Sequence, residues 1–132
     1  MILDSSALLA LVLNEPEAPR FAEAMAGALR LRMPAPGWVE AAMLIDRRGN
    51  AIARSRLDAF RHHFRIEVAP FTEEHASLAR EALRTFGKGT GHPARLNFGD
   101  CIAYAFAKHE REPLLFKGDD FLYTDIEPAL KD

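Results

Sequence analysis

Acids stand just beyond several short apolar segments of this chain, and their types and positions suit a site for a divalent cation. Met1-Ile2-Leu3 runs into Asp4, Arg32-Met33-Pro34-Ala35 leads through Pro36-Gly37 to Glu40, and Pro113-Leu114-Leu115-Phe116 leads to Asp119 and Asp120. A further helical run opens as Asn97-Phe98-Gly99-Asp100. If the apolar segments are parallel strands of one sheet, their carboxyl ends share an edge, and acids far apart in sequence converge there. Carboxylates held together repel, which raises some of their pKa values unless a cation neutralises them. Mg²⁺, or alternatively Mn²⁺, prefers such oxygen ligands and leaves positions for water and phosphate. A metal-activated water with a second carboxylate to orient or deprotonate it is chemistry for phosphodiester hydrolysis.

Each acid also has a plainer role open to it. Asp4, followed by Ser5 and Ser6, suits a helix N-cap. Asp100 sits in the first turn of an apolar helix, where the dipole favours a negative charge. Glu40 is flanked by Trp38, Val39, Ala41, Ala42 and Met43, and an acid buried in such company is costly unless paired or bound to metal.

The elements that must position these acids alternate between strand-like and helical periods, the pattern of an α/β domain with a mainly parallel sheet. Strands are expected at Met1 to Leu3, Leu31 to Ala35, Ile66 to Ala69 and Leu114 to Phe116, with a last edge strand at Thr124 to Glu127. Helices are expected at Ser6 to Leu13, Glu17 to Ala28, Gly37 to Arg48, Ala51 to Phe64, from a Thr72 N-cap to Phe86, and at Asn97 to Arg111. Gly87-Lys88-Gly89-Thr90-Gly91-His92-Pro93 reads as a flexible insertion, of the kind that closes over substrate.

Length and composition narrow the setting. A chain of 132 residues, 48% hydrophobic, fits one domain spanning residues 1 to 132. Its single cysteine, Cys101, excludes an intramolecular disulfide framework and points to the cytoplasm, and the N-terminus has neither a signal-peptide pattern nor a membrane span. The net charge of −2 argues against a general nucleic-acid coat. Local surfaces differ: from Arg47 to Arg65 there are six arginines against one acid, Asp58, a stretch suited either to phosphates or to a solvated helical face. Lys88, His92, Arg95 and Lys117 could guide an RNA backbone beside the acids, or stand as separate surface charges.

Other chemistries lack their residues. The five histidines show no metal-ligand spacing, and one cysteine cannot build a thiolate zinc site. Lys88 is followed by Gly89 rather than Ser or Thr, and Ala82 stands where a phosphate loop needs its first glycine. Cys101 reads as a small core residue, and no nucleophile elbow is present.

Four stretches taken in order resemble the PIN-domain nucleases, specifically the VapC toxins of bacterial toxin-antitoxin pairs. They are Met1 to Ala7, the helix carrying Glu40, Gly91 to Cys101, and Pro113 to Phe121 followed by Thr124-Asp125-Ile126. The resemblance implies a three-layer α/β/α sandwich around a mainly parallel sheet of four to five short strands. It implies a Mg²⁺- or Mn²⁺-dependent endoribonuclease, usually a homodimer. A VapB-type antitoxin would inhibit it in a toxin-antitoxin hetero-oligomer, often by placing an arginine among the acids. Carried over by position, Asp4, Glu40 and Asp100 match the family's three acids, Asp4 and Asp100 as direct metal ligands, and Ser6 matches a hydroxyl near the metal. The family's fourth acid often falls where this chain has Gly118, leaving Asp119 and Asp120 as alternatives. A catalytically silent module that binds RNA or an antitoxin through the same fold is the main rival. An acid-pocket phosphatase would need an aspartate at the position of Ser6, and a receiver-like phosphoacceptor would need an acid pair after the first strand.

Overall fold

A computed structural model describes residues 1–131. Four parallel strands, β1 (Ile2–Leu3), β2 (Arg32–Pro34), β3 (Glu67–Ala69) and β4 (Leu114–Leu115), form one sheet in the order β3-β2-β1-β4. The pairing register sets Ile2 beside Arg32 and Leu114, and Pro34 beside Ala69. Although β1 is only two residues long, the pairing continues past it, with Asp4 N–H donating to the Leu115 carbonyl at 3.0 Å. Asp4 is thereby fixed at the carboxyl edge of the sheet.

Alternation along the strands divides the core into two layers. Leu3, Met33 and Leu115 face one side, where they pack with residues of α1 (Ser5–Val12), α2 (Ala18–Gly27), α3 (Ala35–Arg47) and α4 (Ala51–His63). Ile2, Ala69 and Leu114 face the other, against α5 (Glu73–Phe86) and α6 (Phe98–Glu110). Seven consecutive residues of α6, Cys101 to Ala107, are buried, so this helix is apolar nearly all round and serves as the central beam of its layer. The architecture is the expected α/β/α sandwich. Among the described residues, no helix is long and apolar enough to cross a membrane.

The expected edge strand at Thr124 to Glu127 does not form. The chain instead makes a 3₁₀ turn at Asp120–Tyr123, which Thr124 closes by donating from its hydroxyl to the Phe121 carbonyl at 2.7 Å. Only an isolated bridge between Leu114 and Pro128 follows, and Pro128 has no N–H with which to extend a ladder. Helix α3 begins at Ala35, two residues earlier than expected, because a proline in the first turn loses no intrahelical bond. The glycine-rich segment expected to be flexible is pinned across its neck by Lys88 N–H to Leu96 O and Leu96 N–H to Phe86 O, each 2.9 Å.

Candidate functional site

At the carboxyl edge of the sheet the starts of α1, α3 and α6 meet, and each contributes an acid. Asp4 is the N-cap of α1 and is 5% exposed. It accepts from Ser6 N–H at 3.1 Å and from Ser6 O–H at 2.5 Å, both on Oδ2, so neither bond uses Oδ1. Ser6 Oγ in turn accepts the Lys117 backbone N–H at 3.0 Å, tying the end of β4 to the same point. Glu40, half-buried on the second turn of α3, takes the Ser5 hydroxyl on Oε1 at 2.6 Å. Asp100 forms a capping box with Asn97: its Oδ2 accepts Asn97 N–H at 3.0 Å, and Asn97 Oδ1 accepts Asp100 N–H at 2.8 Å. The capping roles and a shared acidic site therefore coexist: Asp4 and Asp100 each have one oxygen anchored by a helix start while the other stays clear of that bond.

Electrostatics bind the acids into one group. Burial, more than anything else, pushes the Asp4 carboxyl up from 3.8 to about 6; the Ser6 bonds oppose this, and the nearby Asp100 and Glu40 carboxylates add to it. Burial likewise raises Asp100, opposed by the Asn97 N–H and reinforced by Asp120 and Glu40. Asp120 is thus close enough for its charge to be felt at Asp100. Asp119 instead lines a cleft with Glu17, Arg20, Lys117 and Leu122. Gly118 explains why no acid stands one position earlier: its φ of +96° is a conformation that side-chain-bearing residues rarely adopt. The turn it makes delivers Asp120 to the first position of the 3₁₀ turn.

The cations are spread more widely than the acids. Lys117 directs its ammonium to Glu15 at 3.1 Å and Glu17 at 3.5 Å, away from Asp4. His92 serves its own loop, accepting Ala94 N–H on Nδ1 at 3.1 Å and standing edge-on to Phe86. Lys88 and Arg95 are exposed in the segment that leads into α6. In the arginine-rich stretch, Arg54 pairs with Asp46, Arg56 reaches the Leu11 carbonyl at 3.1 Å, and Arg61 lies over the Trp38 ring at 4.6 Å. Those three are occupied by the fold itself.

The acid set suits a hard cation: Asp4 is a nearly enclosed carboxylate with an oxygen free of its capping bonds, near two further acids, and the ion pairs among the described residues do not include it. Among the described residues, the only three His, Cys, Asp or Glu ligand atoms within 4.8 Å of one another belong to His75, His109 and Glu110. The carboxylates at the sheet edge do not form such a group. The histidine group lies at the opposite edge, beside Arg32 at the start of β2. There His75 Nδ1 accepts Thr72 N–H at 2.9 Å, which puts the ring proton on Nε2, facing Glu110 at 3.3 Å. That nitrogen is a donor, not a ligand.

Sequence reasoning missed Ser5 and Gly99. In the sequence Ser5 reads only as a capping residue while the family resemblance singles out Ser6, yet it is the Ser5 hydroxyl that crosses to α3. Gly99 carried a signal in its cost, since glycine in a helix needs a local reason. That reason is Glu40, whose Oε2 would lie 2.2 Å from a Cβ on residue 99.

The chain matches the model of the PIN domain over residues 1–127. It is 42% identical over 130 residues to ribonuclease VapC28 of Mycobacterium tuberculosis, covering 98% of each chain. It is also 42% identical over 129 residues to ribonuclease VapC42 of the same species, again covering 98% of each. Among solved structures it superposes on the Mycobacterium tuberculosis toxin VapC20, described as cleaving the sarcin-ricin loop, with a TM-score of 0.74 at 18% identity over 95% of each chain. A toxin-antitoxin complex from Klebsiella pneumoniae matches with a TM-score of 0.66 at 17% identity, covering 91% of this chain and 88% of the other.

Proposed function

The chain belongs to the PIN-domain family, and from that premise we propose that it is the toxin of a toxin-antitoxin pair, an endoribonuclease that hydrolyses RNA phosphodiester bonds with Mg²⁺. The observation that carries the reading is Asp4: a carboxyl buried at the sheet edge, pushed up to about 6 and surrounded by other acids rather than by cations. An acid so placed costs the metal-free fold stability, and a divalent cation removes that cost. Asp4 and Asp100 would hold the ion. When bound, it would supply a polarised phosphate and an acidified water. Glu40 and Asp120 then serve as carboxylates that orient the nucleophile and accept its proton. Ser6 keeps Asp4 in its rotamer, while Lys88 and Arg95 meet the phosphate backbone on the approach to α6. Asp119, Lys117 and His92 face other partners and stand outside this core.

The same excess of acids suits an antitoxin of VapB type that inserts a cationic side chain among them, and a homodimer would present two such sites. The match to a toxin-antitoxin complex supports the antitoxin, and the homodimer rests on the resemblance to the family. Incubating the purified protein with total RNA, in Mg²⁺, in EDTA, and as Asp4→Asn and Asp100→Asn, tests the reading. Cleavage is expected only in the wild type with metal. Cleavage that survives in both variants would remove the acids from the mechanism, and cleavage in EDTA would remove the metal.

A further inference from the structure

Resting on the reading of Glu40 as part of the cleavage site, we propose that Ser5 and Gly99 are its positioning residues: Ser5 fixes one carboxylate oxygen, and Gly99 leaves room for the other. Three helix starts are involved. Ser5, only 7% exposed, begins α1 and donates its hydroxyl to Glu40 Oε1 at 2.6 Å. Gly99 lies in the first turn of α6, directly before Asp100. A Cβ there would stand 2.2 Å from Glu40 Oε2 and 2.9 Å from both Oε1 and the carboxyl carbon, all inside contact distance.

Backbone freedom does not account for this glycine. Gly99 is helical with no left-handed φ, unlike Gly118, and alanine would strengthen the helix. What an alanine would displace is the far end of a flexible side chain. The backbone of α6 can therefore stay in place while the Glu40 carboxylate swings out. Both contacts act on the same carboxylate, so its position is set by α1 and α6, although the residue belongs to α3. A carboxylate that must meet a nucleophile to within a fraction of an ångström gains from being held at two points.

Kinetics of RNA cleavage in Mg²⁺ test the arrangement, with Ser5→Ala, Gly99→Ala, Glu40→Ala and the two double variants built on Glu40→Ala. Losing a hydrogen bond to a charged group is expected to lower kcat about tenfold in Ser5→Ala. Displacing the carboxylate by about 1 Å is expected to lower it about 100-fold in Gly99→Ala. KM should stay within about twofold in both, since neither residue touches substrate. In the Glu40→Ala background each second substitution should cost less than about twofold, because residues acting through one group are not additive. A second readout needs neither metal nor activity. The carboxyl-carbon NMR resonance of Glu40 in the metal-free protein should shift in Ser5→Ala and Gly99→Ala, with the unfolding midpoint nearly unchanged.

Losses that remain fully additive with Glu40→Ala, a Glu40 resonance that does not move, or a Gly99→Ala variant that unfolds would each overturn the positioning role. A wild type that does not cleave RNA, or a Glu40→Ala variant that cleaves normally, overturns the functional reading instead. The NMR comparison then decides the clamp on its own.

Discussion

Replacing Asp4 with asparagine should stabilise the metal-free protein at neutral pH while abolishing its activity. The Asp4 carboxyl titrates near 6 in the fold against 3.8 ordinarily, with burial as the main cause. Below pH 3.8 the residue is protonated in both states and costs nothing. Between 3.8 and about 6 the unfolded chain releases the proton while the folded chain keeps it, so stability falls as pH rises. Above that window the deficit levels off at about 3 kcal/mol, taking about 1.4 kcal/mol per tenfold change in proton affinity. Asparagine carries no charge, can offer a carbonyl oxygen to the Ser6 N–H and O–H that now bind Oδ2, and caps helices as well as aspartate does. Urea unfolding of both proteins in EDTA from pH 4 to 8 measures the difference. The variant should match the wild type at the acid end and gain up to about 3 kcal/mol by pH 7, equivalent to about 10 °C in Tm for a chain of this size. Mg²⁺ at about 100 times its Kd should restore about 2.7 kcal/mol to the wild type and little to the variant. An Asp4→Asn protein less stable than wild type at pH 7 in EDTA, or a gap that ignores pH, would refute the view that Asp4 is an uncompensated acid.

Arg32→Ala should lower stability by about 1–3 kcal/mol by urea titration, because the guanidinium is 11% exposed and pairs with both Glu110 and Glu112, which would be left with His75 and His109 and with the N-terminal ammonium. Glu110, held down to about 2 by His109 and then Arg32, should titrate closer to the ordinary carboxyl range in that variant, as followed by NMR. Cys101 is fully buried, and burial followed by the charge of Asp100 pushes its thiol up to about 11. Iodoacetamide at pH 8 should therefore label it only as fast as the protein unfolds, and rapid labelling under native conditions would contradict its place in the core.

Strand and helix periods were legible because the sheet is buried on both faces and α6 is apolar almost throughout, signals that depend on local pattern. Thr124 to Glu127 misled because its β-branched residues fit a strand, whereas the hydroxyl of Thr124 and the missing N–H of Pro128 favour turns. Among the acids, a shared edge for Asp4 and Glu40 could be inferred from parallel strands, and Asp100, which opens a helix, could be added from the family resemblance. The separate surroundings of Asp119 and Asp120 could not, since they depend on the left-handed φ of Gly118, a tertiary fact with no periodic signature. Ser5 and Ser6 are adjacent and chemically alike, yet one serves Asp4 and the other Glu40. Only the packing of α3 against α1 distinguishes them.

Helix α6 shows which force governs the acidic edge. It has Asp100 in its first turn and Glu110 at its last residue, so the macrodipole should favour the first charge and oppose the second. The outcome is reversed. Burial, aided by Asp120 and Glu40, raises Asp100, whereas His109 and Arg32 hold Glu110 near 2. A dipole contribution of about 0.3–1 kcal/mol is outweighed at both ends by burial and direct pairing. At the end near the start of β2 the chain answers Glu110 and Glu112 with Arg32, His75 and His109. At the other end it supplies hydroxyl and amide donors to three acids, while Lys117, whose backbone N–H reaches Ser6, pairs its ammonium with Glu15 and Glu17. Both edges carry acids, Asp4, Glu40 and Asp100 at one and Glu110 and Glu112 at the other. What sets the carboxyl edge apart is that, among the described residues, its acids are held by neutral donors, whereas Glu110 and Glu112 are paired with an arginine.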